Sequence, residues 1–451
     1  MFRKDDFYKQ VIKIAVPVTL QSLIMSLLYL TDQLMVGQLG DVAISSVGMS
    51  TKIYGIISVV LAGLSTGVSI YAAQFWGKGE KKSVSQVLGL GLIGGLVLSV
   101  LFTLFVFIVP EWFLGLFTTD ERVTGDGSIF LKIVSLSYVP MMLTMMFSSI
   151  LRSTEHAKLP MVVSLITVGL NIVLNYGLIF GHFGLPQWGL MGSAVATLIA
   201  RIVECLLIIG AVYKFRLPGS VDLKYLFLIP KPLFQQFLKT TYPIILTELV
   251  WVLSETVYAM VYSRMGTAEM TAMTITFPLQ GLSVGLLSGL ASAAGVIVGN
   301  RLGAGDESTA MDYAKRLIRL GILISIALGL IIAAISPFYV AAYHISEEAH
   351  RLGMYIILVF AGFLWVKVAN MIIAGGILNS GGDSKFVFGM ESTANWIVGV
   401  PLAVLMSFVW KQPVFVVYLV LSIEEVVRFG FGLTRIYSKK WIRNLVKDIA
   451  A

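Results

Sequence analysis

The stretch Ile14–Gly40, IAVPVTLQSLIMSLLYLTDQLMVGQLG, contains a single charged residue, Asp32. An α-helix rises 1.5 Å per residue, so about 20 apolar residues cross a hydrocarbon core roughly 30 Å thick. The run therefore predicts a membrane-spanning helix with a carboxylate inside it. An ionisable group at that depth is costly, and it points to function when a partner for it can be named.

The same pattern recurs along the chain. Of its 451 residues, 57% are hydrophobic and only 13% charged, which excludes an ordinary soluble protein. Spans are expected near 10–36, 44–75, 86–110, 128–153, 158–180 and 189–213, then 233–263, 272–302, 313–340, 350–379, 385–409 and 413–438. This is an all-α integral membrane protein with about twelve transmembrane helices. The N-terminus MFRKDDFYK is too polar, and the run after it too long, for a cleavable signal peptide. Cys205, the one cysteine, excludes an intramolecular disulfide and a cysteine metal cage.

The net charge of +8 is arranged for orientation rather than for nucleic acid. Alternate connections are basic: Lys78, Lys81 and Lys82; Arg152 and Lys158; Lys214, Arg216, Lys224 and Lys231; Arg301, Lys315 and Arg316; and the tail Lys439, Lys440 and Arg443. These are expected to face the cytoplasm, with both termini, in a multi-pass protein of the inner (plasma) membrane. The intervening loops are neutral or acidic, such as TTDERVTGDGS after Phe117 and HISEEAH from His344.

An internal repeat sets the architecture. Lys13, Pro17 and Gly40 recur as Lys239, Pro243 and Gly266, and Gln74–Glu80 (QFWGKGE) recurs as Asn300–Asp306 (NRLGAGD), each at an offset of 226. Ile150-Leu-Arg-Ser recurs as Ile377-Leu-Asn-Ser, and Lys158 as Lys385, at 227. An even number of helices per half gives both halves the same orientation, so the two six-helix lobes form a parallel repeat about an axis along the membrane normal. The expected division is an N-lobe over 1–213, a cytoplasmic linker over 214–232 rich in Lys, Pro and Gly, and a C-lobe over 233–451.

Several motifs carry less than they suggest. Gly89-Leu-Gly-Leu-Ile-Gly94 matches a dinucleotide fingerprint, but it lies inside an apolar span with no preceding strand. With the pairs Gly63/Gly67, Gly285/Gly289 and Gly295/Gly299 it reads as close helix packing. His156, His182, His344 and His350 fall in loops or at span ends without HExxH spacing, and neither GxSxG nor a P-loop occurs, which argues against an enzyme. Arg201 with Glu204, and Glu424 and Glu425 with Arg428, are spaced to pair along one helix face and neutralise each other.

Depth names the partners of Asp32. It lies eight residues before the external turn at Gly40, Thr197 lies eight after Gly189, and Asn171 and Asn175 precede Gly181 by ten and six. All four then sit roughly 9–15 Å below the external face. Asn171 and Asn175, four apart, share a helix face. Such oxygens suit a small cation, or tune a protonatable acid. A polar tie between helices needs amides and hydroxyls but no carboxylate, so the functional reading is preferred.

The two lobes, TDQLMVGQLG, the QFWGKGE and NRLGAGD repeats, NIVLNYGLIFG and GSAVAT together resemble the multidrug and toxic compound extrusion (MATE) family over nearly the whole chain. The resemblance implies secondary-active efflux of organic, often cationic compounds in exchange for Na+ or H+, by alternating access and without a cofactor. It implies that Asp32 is the coupling acid, with Asn171, Asn175 and Thr197 beside it as a possible Na+ site. Some members have a second acid at the place of Asn175. In the C-lobe, some relatives place acids on spans seven and ten; here span seven offers Glu248 and Glu255, and span ten offers Lys367 beside Val368. These three are the expected substrate-cleft residues, with Lys367 paired to a span-seven glutamate or to Glu391. The expected partners are small organic substrates, a monovalent cation and membrane lipid, with no nucleic acid and the chain a monomer. An alternative cargo on the same fold, a lipid-linked saccharide moved by a flippase, would call for several cations in the cleft.

Overall fold

Each apolar run becomes a helix, and the polar punctuation between runs supplies the caps. The computed structural model describes residues 7–115, 118, 120–220, 226, 228–343, 345–447 and 449. His344, and Lys224 of the linker, lie outside the described residues. The first series of helices is α1 (Phe7–Gly37), α2 (Asp41–Lys78), α3 (Lys81–Ile108), the short α4 (Pro110–Gly115), α5 (Glu121–Ser135), α6 (Tyr138–Ser153), α7 (Lys158–Phe180) and α8 (Leu190–Lys214). The second is α9 (Lys231–Met265), α10 (Thr267–Gly303), α11 (Glu307–Ala341), α12 (Glu347–Leu378), α13 (Ser384–Val409) and α14 (Val414–Tyr437). Among the described residues there is no strand.

Among the described residues ten helices are long and apolar enough to cross a membrane, and an eleventh span results if α5 and α6 are taken together. Two expectations change here. The fourth span, 128–153, is not one rod: α5 and α6 meet at 43°. At the break Ser137 N–H donates to Val134 O at 2.9 Å, a tighter turn than an α-helix makes. Nor is TTDERVTGDGS a loop throughout. Asp120 Oδ1 accepts from the backbone of Arg122 (2.9 Å) and Val123 (3.4 Å), and this cap starts α5 at Glu121. Helix α14 has the length of a span but carries three charged residues, Glu424, Glu425 and Arg428, near its middle.

The sequence repeat is also a repeat of backbone hydrogen bonds. Gly79 N–H donates to Trp76 O at 3.0 Å and Glu80 N–H to Phe75 O at 3.0 Å. In the second half Gly305 N–H donates to Leu302 O at 3.0 Å and Asp306 N–H to Arg301 O at 2.9 Å. Gly79 and Gly305 adopt φ of 83° and 78°, a left-handed conformation that L side chains resist, so the glycine recurs where the helix stops.

The chain forms two compact units, one of residues 20–237 and one that joins the chain up to Thr19 with 238–449. Helix α1 is thus shared between them. In the second unit, its first half lies directly on α10: Thr19 Oγ1 donates to Leu286 O at 3.0 Å, and a Cβ on Gly289 would overlap the Ala15 carbonyl oxygen and Thr19 Oγ1. The packing reading of the glycine motifs holds at Gly289. It holds also at Gly89, whose Cβ would strike the Leu226 backbone, and at Gly91, against Val68 and Met146.

Gly289→Val should therefore separate α1 from α10. A loss of about 1–3 kcal/mol is expected from overpacking, read as an earlier thermal unfolding of the purified protein in detergent, whereas Gly281→Val, where a Cβ meets nothing within 4 Å, should unfold close to the wild type.

Candidate functional site

Within the unit of residues 20–237, a cavity of about 420 Å³ opens between α1, α2, α5, α7 and α8. Asp32 reaches it from α1, Asn171 from α7, and Thr197, Arg201 and Glu204 from α8. Asn175 is fully buried one turn from Asn171. Its Nδ2 donates to Asp32 Oδ1 at 2.6 Å and to Asn171 Oδ1 at 2.9 Å, so one amide ties α1 to α7. The amide's own oxygen, Asn175 Oδ1, is buried and has no hydrogen-bond partner among the described residues. Thr197 lines the same wall without a hydrogen bond to the other three among the described residues.

The cation nearest in kind to Asp32 is already engaged. Arg201 Nη1 binds Glu204 Oε2 at 2.8 Å, the i,i+3 pairing expected from the spacing. Glu204 Oε1 accepts from Ser164 Oγ at 3.0 Å, and Ser164 Oγ accepts from Gln21 Nε2 at 2.8 Å. This chain joins α1, α7 and α8 and leaves Asp32 as a carboxylate without an ion pair among the described residues. A carboxylate, an unpartnered amide oxygen and a hydroxyl are hard oxygen donors of the kind a small monovalent cation takes. Among the described residues no group of three or more His, Cys, Asp or Glu side chains suits a metal ion.

The unit that contains 238–449 has a different polar centre. Arg428, buried on α14, bonds Glu424 through Nη2 and lies 3.1 Å from Glu391 on α13 and 3.6 Å from Glu425. Its Nη2 also donates to Asn395 Oδ1 at 2.6 Å. Tyr258 Oη on α9 donates to Glu424 Oε2 at 2.6 Å, and Asn370 Nδ2 on α12 donates to Glu425 Oε2 at 2.7 Å. Two of these ligands flank departures from α-helical geometry: Asn370 precedes the π-helical Met371–Leu378, and Asn395 sits inside the π-helical Thr393–Gly399. Such turns re-aim side chains and occur often at functional sites.

Lys367 is placed otherwise than expected. It pairs neither with a span-seven glutamate nor with Glu391 but with Glu425, at 3.8 Å. The reason is that Arg428 already holds Glu391, and α14 brings Glu425 to α12. A cavity of about 90 Å³ is lined by Glu255, Lys367, Glu424 and Glu425. Glu248 is half-buried on α9 and does not line it, although seven residues separate it from Glu255.

Comparison with known proteins follows the same division into halves. The MatE family profile matches residues 17–177 and again 243–405, two segments that begin 226 residues apart. The chain belongs to the MatE family. It is 26% identical over 423 residues to "Uncharacterized transporter YisQ" of Bacillus subtilis, covering 92% of this chain and 88% of that protein. It is 29% identical over 377 residues to "Probable multidrug resistance protein NorM" of Rhizobium meliloti, covering 82% and 80%. Its fold matches a crystal structure of MATE in complex with MaL6 with a TM-score of 0.87 at 19% identity, covering 98% of this chain and 100% of that one.

In this MatE chain, counting depth in the sequence brought together Asp32, Asn171 and Asn175, which the structure joins by hydrogen bonds, but missed Ser164 and Gln21, ordinary polar residues on apolar helices. It also missed Gly399, where a Cβ would collide with both Glu424 Oε2 and Tyr258 Oη.

Removing the hub of the second network should show how much depends on it. Arg428→Met leaves Glu391 and Glu424 buried without a cation, and a loss of about 3–5 kcal/mol of stability is expected, seen as poor recovery of folded protein on size-exclusion chromatography; Arg201→Met, whose partner set is smaller, should cost less.

Proposed function

We propose that this protein is a secondary-active multidrug exporter that moves organic, often cationic compounds out of the cell in exchange for Na+ or H+. Asp32 is the coupling acid, and Asn171, Asn175 and Thr197 complete its cation site. The observation that carries this reading is a carboxylate on the wall of a cavity of about 420 Å³, fixed by Asn175 and without an ion pair among the described residues, while Glu204 binds the cavity's arginine. Such a group gains from binding one positive charge. Cargo and coupling ion then compete for, or alternately satisfy, the same carboxylate, which links release of one to entry of the other.

The relative named as a multidrug resistance protein supports the cargo class. A volume of about 420 Å³ falls within the range of drug-sized ligand sites. A flippase for lipid-linked saccharides would be expected to offer several available cations here, whereas Arg201 is engaged by Glu204. The two lobes, 1–213 and 233–451 with the linker 214–232, are proposed to alternate the cavity's access between the two sides of the plasma membrane, with both termini cytoplasmic.

Asp32→Asn keeps the size and the hydrogen-bonding capacity of the side chain but has no charge to lose or gain. In proteoliposomes with an imposed Na+ or H+ gradient, the variant should insert normally yet export ethidium at least about tenfold more slowly, within the range of a typical site-to-site coupling. Gradient-dependent export at the wild-type rate would remove Asp32 from the coupling role.

A further inference from the structure

The small cavity of the unit containing 238–449 presents two opposite charges on aromatic walls. Glu255 lines it and has no hydrogen-bond or ion-pair partner among the described residues. Lys367 lines it, and among the described residues its one ion pair is with Glu425, at 3.8 Å, beyond hydrogen-bond distance. Glu425 is better served by Asn370 at 2.7 Å and has Arg428 at 3.6 Å, so the Lys367 ammonium keeps its donors for something else. Around the two charges stand Tyr258, Tyr262, Phe277, Phe360, Phe363 and Tyr418.

We propose that this cavity recognises a zwitterionic headgroup, a methylated ammonium beside a carboxylate, with Glu255 and the aromatic rings facing the ammonium and Lys367 facing the carboxylate. A methylated ammonium has no N–H to satisfy, so it tolerates ring faces and is attracted by their quadrupoles. Its carboxylate needs a donor, and Lys367 is the loosely held one. A ligand with only a positive charge meets the Lys367 ammonium. A ligand with only a negative charge meets Glu255, Glu424 and Glu425. The zwitterion answers both and adds no net charge to a low-dielectric site. At about 90 Å³ the cavity is far below the roughly 300 Å³ that a whole drug needs, so it fits a headgroup alone.

The proposal rests on the transport reading only in treating the ligand as cargo; its binding step requires no ion gradient. The test uses the purified full-length protein in detergent and three probes of similar shape: glycine betaine, its methyl ester as the cation, and 3,3-dimethylbutanoate as the anion. Binding is read as a saturable rise in thermal midpoint with ligand concentration. Glycine betaine should bind at least about tenfold more tightly than either analogue, a margin of one well-formed charged contact. Lys367→Met should let the ester match or surpass glycine betaine, and Glu255→Gln should let the anion approach it. Asp32→Asn should leave the order unchanged, so failure of the coupling role and failure of this site are read separately. The proposal is overturned if the ester binds most tightly to the wild type, if glycine betaine shows no saturable binding, or if neither substitution alters the order. Should Lys367→Met not fold, Glu255→Gln decides alone, since among the described residues Glu255 has no hydrogen bond or ion pair to lose.

Discussion

A polar group inside an apolar helix bundle must be answered by another, because water is not there to do it. The amide of Asn175 meets that requirement for the amino-terminal site in one stroke. Both hydrogens of its Nδ2 are taken, by Asp32 and by Asn171, which fixes the Asp32 carboxylate and the register of α1 against α7. The amide oxygen is left over, buried and unanswered. The neighbouring Gln21–Ser164–Glu204–Arg201 chain closes on itself and pairs the cavity's arginine with Glu204, so that among the described residues Asp32 has no ion pair of its own. What remains is a site one positive charge short of neutral.

The repeat carries this logic into the second half with the parts exchanged. At the offset of 226 Asp32 falls on Tyr258, and at 227 Thr197 falls on Glu424 and Arg201 on Arg428. Where the first half has an acid on its first helix and a hydroxyl on its last, the second half has the hydroxyl on α9 and the acid on α14. There the two meet, with Tyr258 Oη on Glu424 Oε2 at 2.6 Å. The arginine persists but serves glutamates from two helices, and Lys367 adds a further positive charge. One half therefore keeps an unpaired carboxylate on its main cavity, while the other has become a network that stabilises its own charges and leaves Glu255 and Lys367 at the edge.

Much of this was legible in the chain. Apolar runs located the helices because backbone groups in a bilayer can be satisfied only within a helix or a closed barrel. The i,i+3 pairing of Arg201 with Glu204 followed from helical geometry alone, and depth counted from flanking glycines placed Asp32 with Asn175. What escaped was contact between elements far apart in sequence. Lys367 and Glu425, or Arg428 and Glu391, pair across α12, α13 and α14, and no local spacing encodes that. The π-helical turns beside Asn370 and Asn395 shift side chains off the face that a regular helix predicts. Helix α5 escaped for another reason: its first turn is polar, but Asp120 converts that polarity into a cap.

The sharing of α1 between the two units has a consequence for how the protein is made. Thr19 and its hydrogen-bond acceptor, the carbonyl of Leu286, are 267 residues apart. The first segment to leave the ribosome must wait in the bilayer, with its partner helix unborn, while most of the chain is synthesised. Contacts of such sequence separation form late and set the pace of folding. The amino-terminal unit has all of its other helices by then, so completion of α10 becomes the event that closes the amino terminus into place. Truncated nascent chains ending before Leu286 would lack the carbonyl that Thr19 binds and the helix against which the first half of α1 packs.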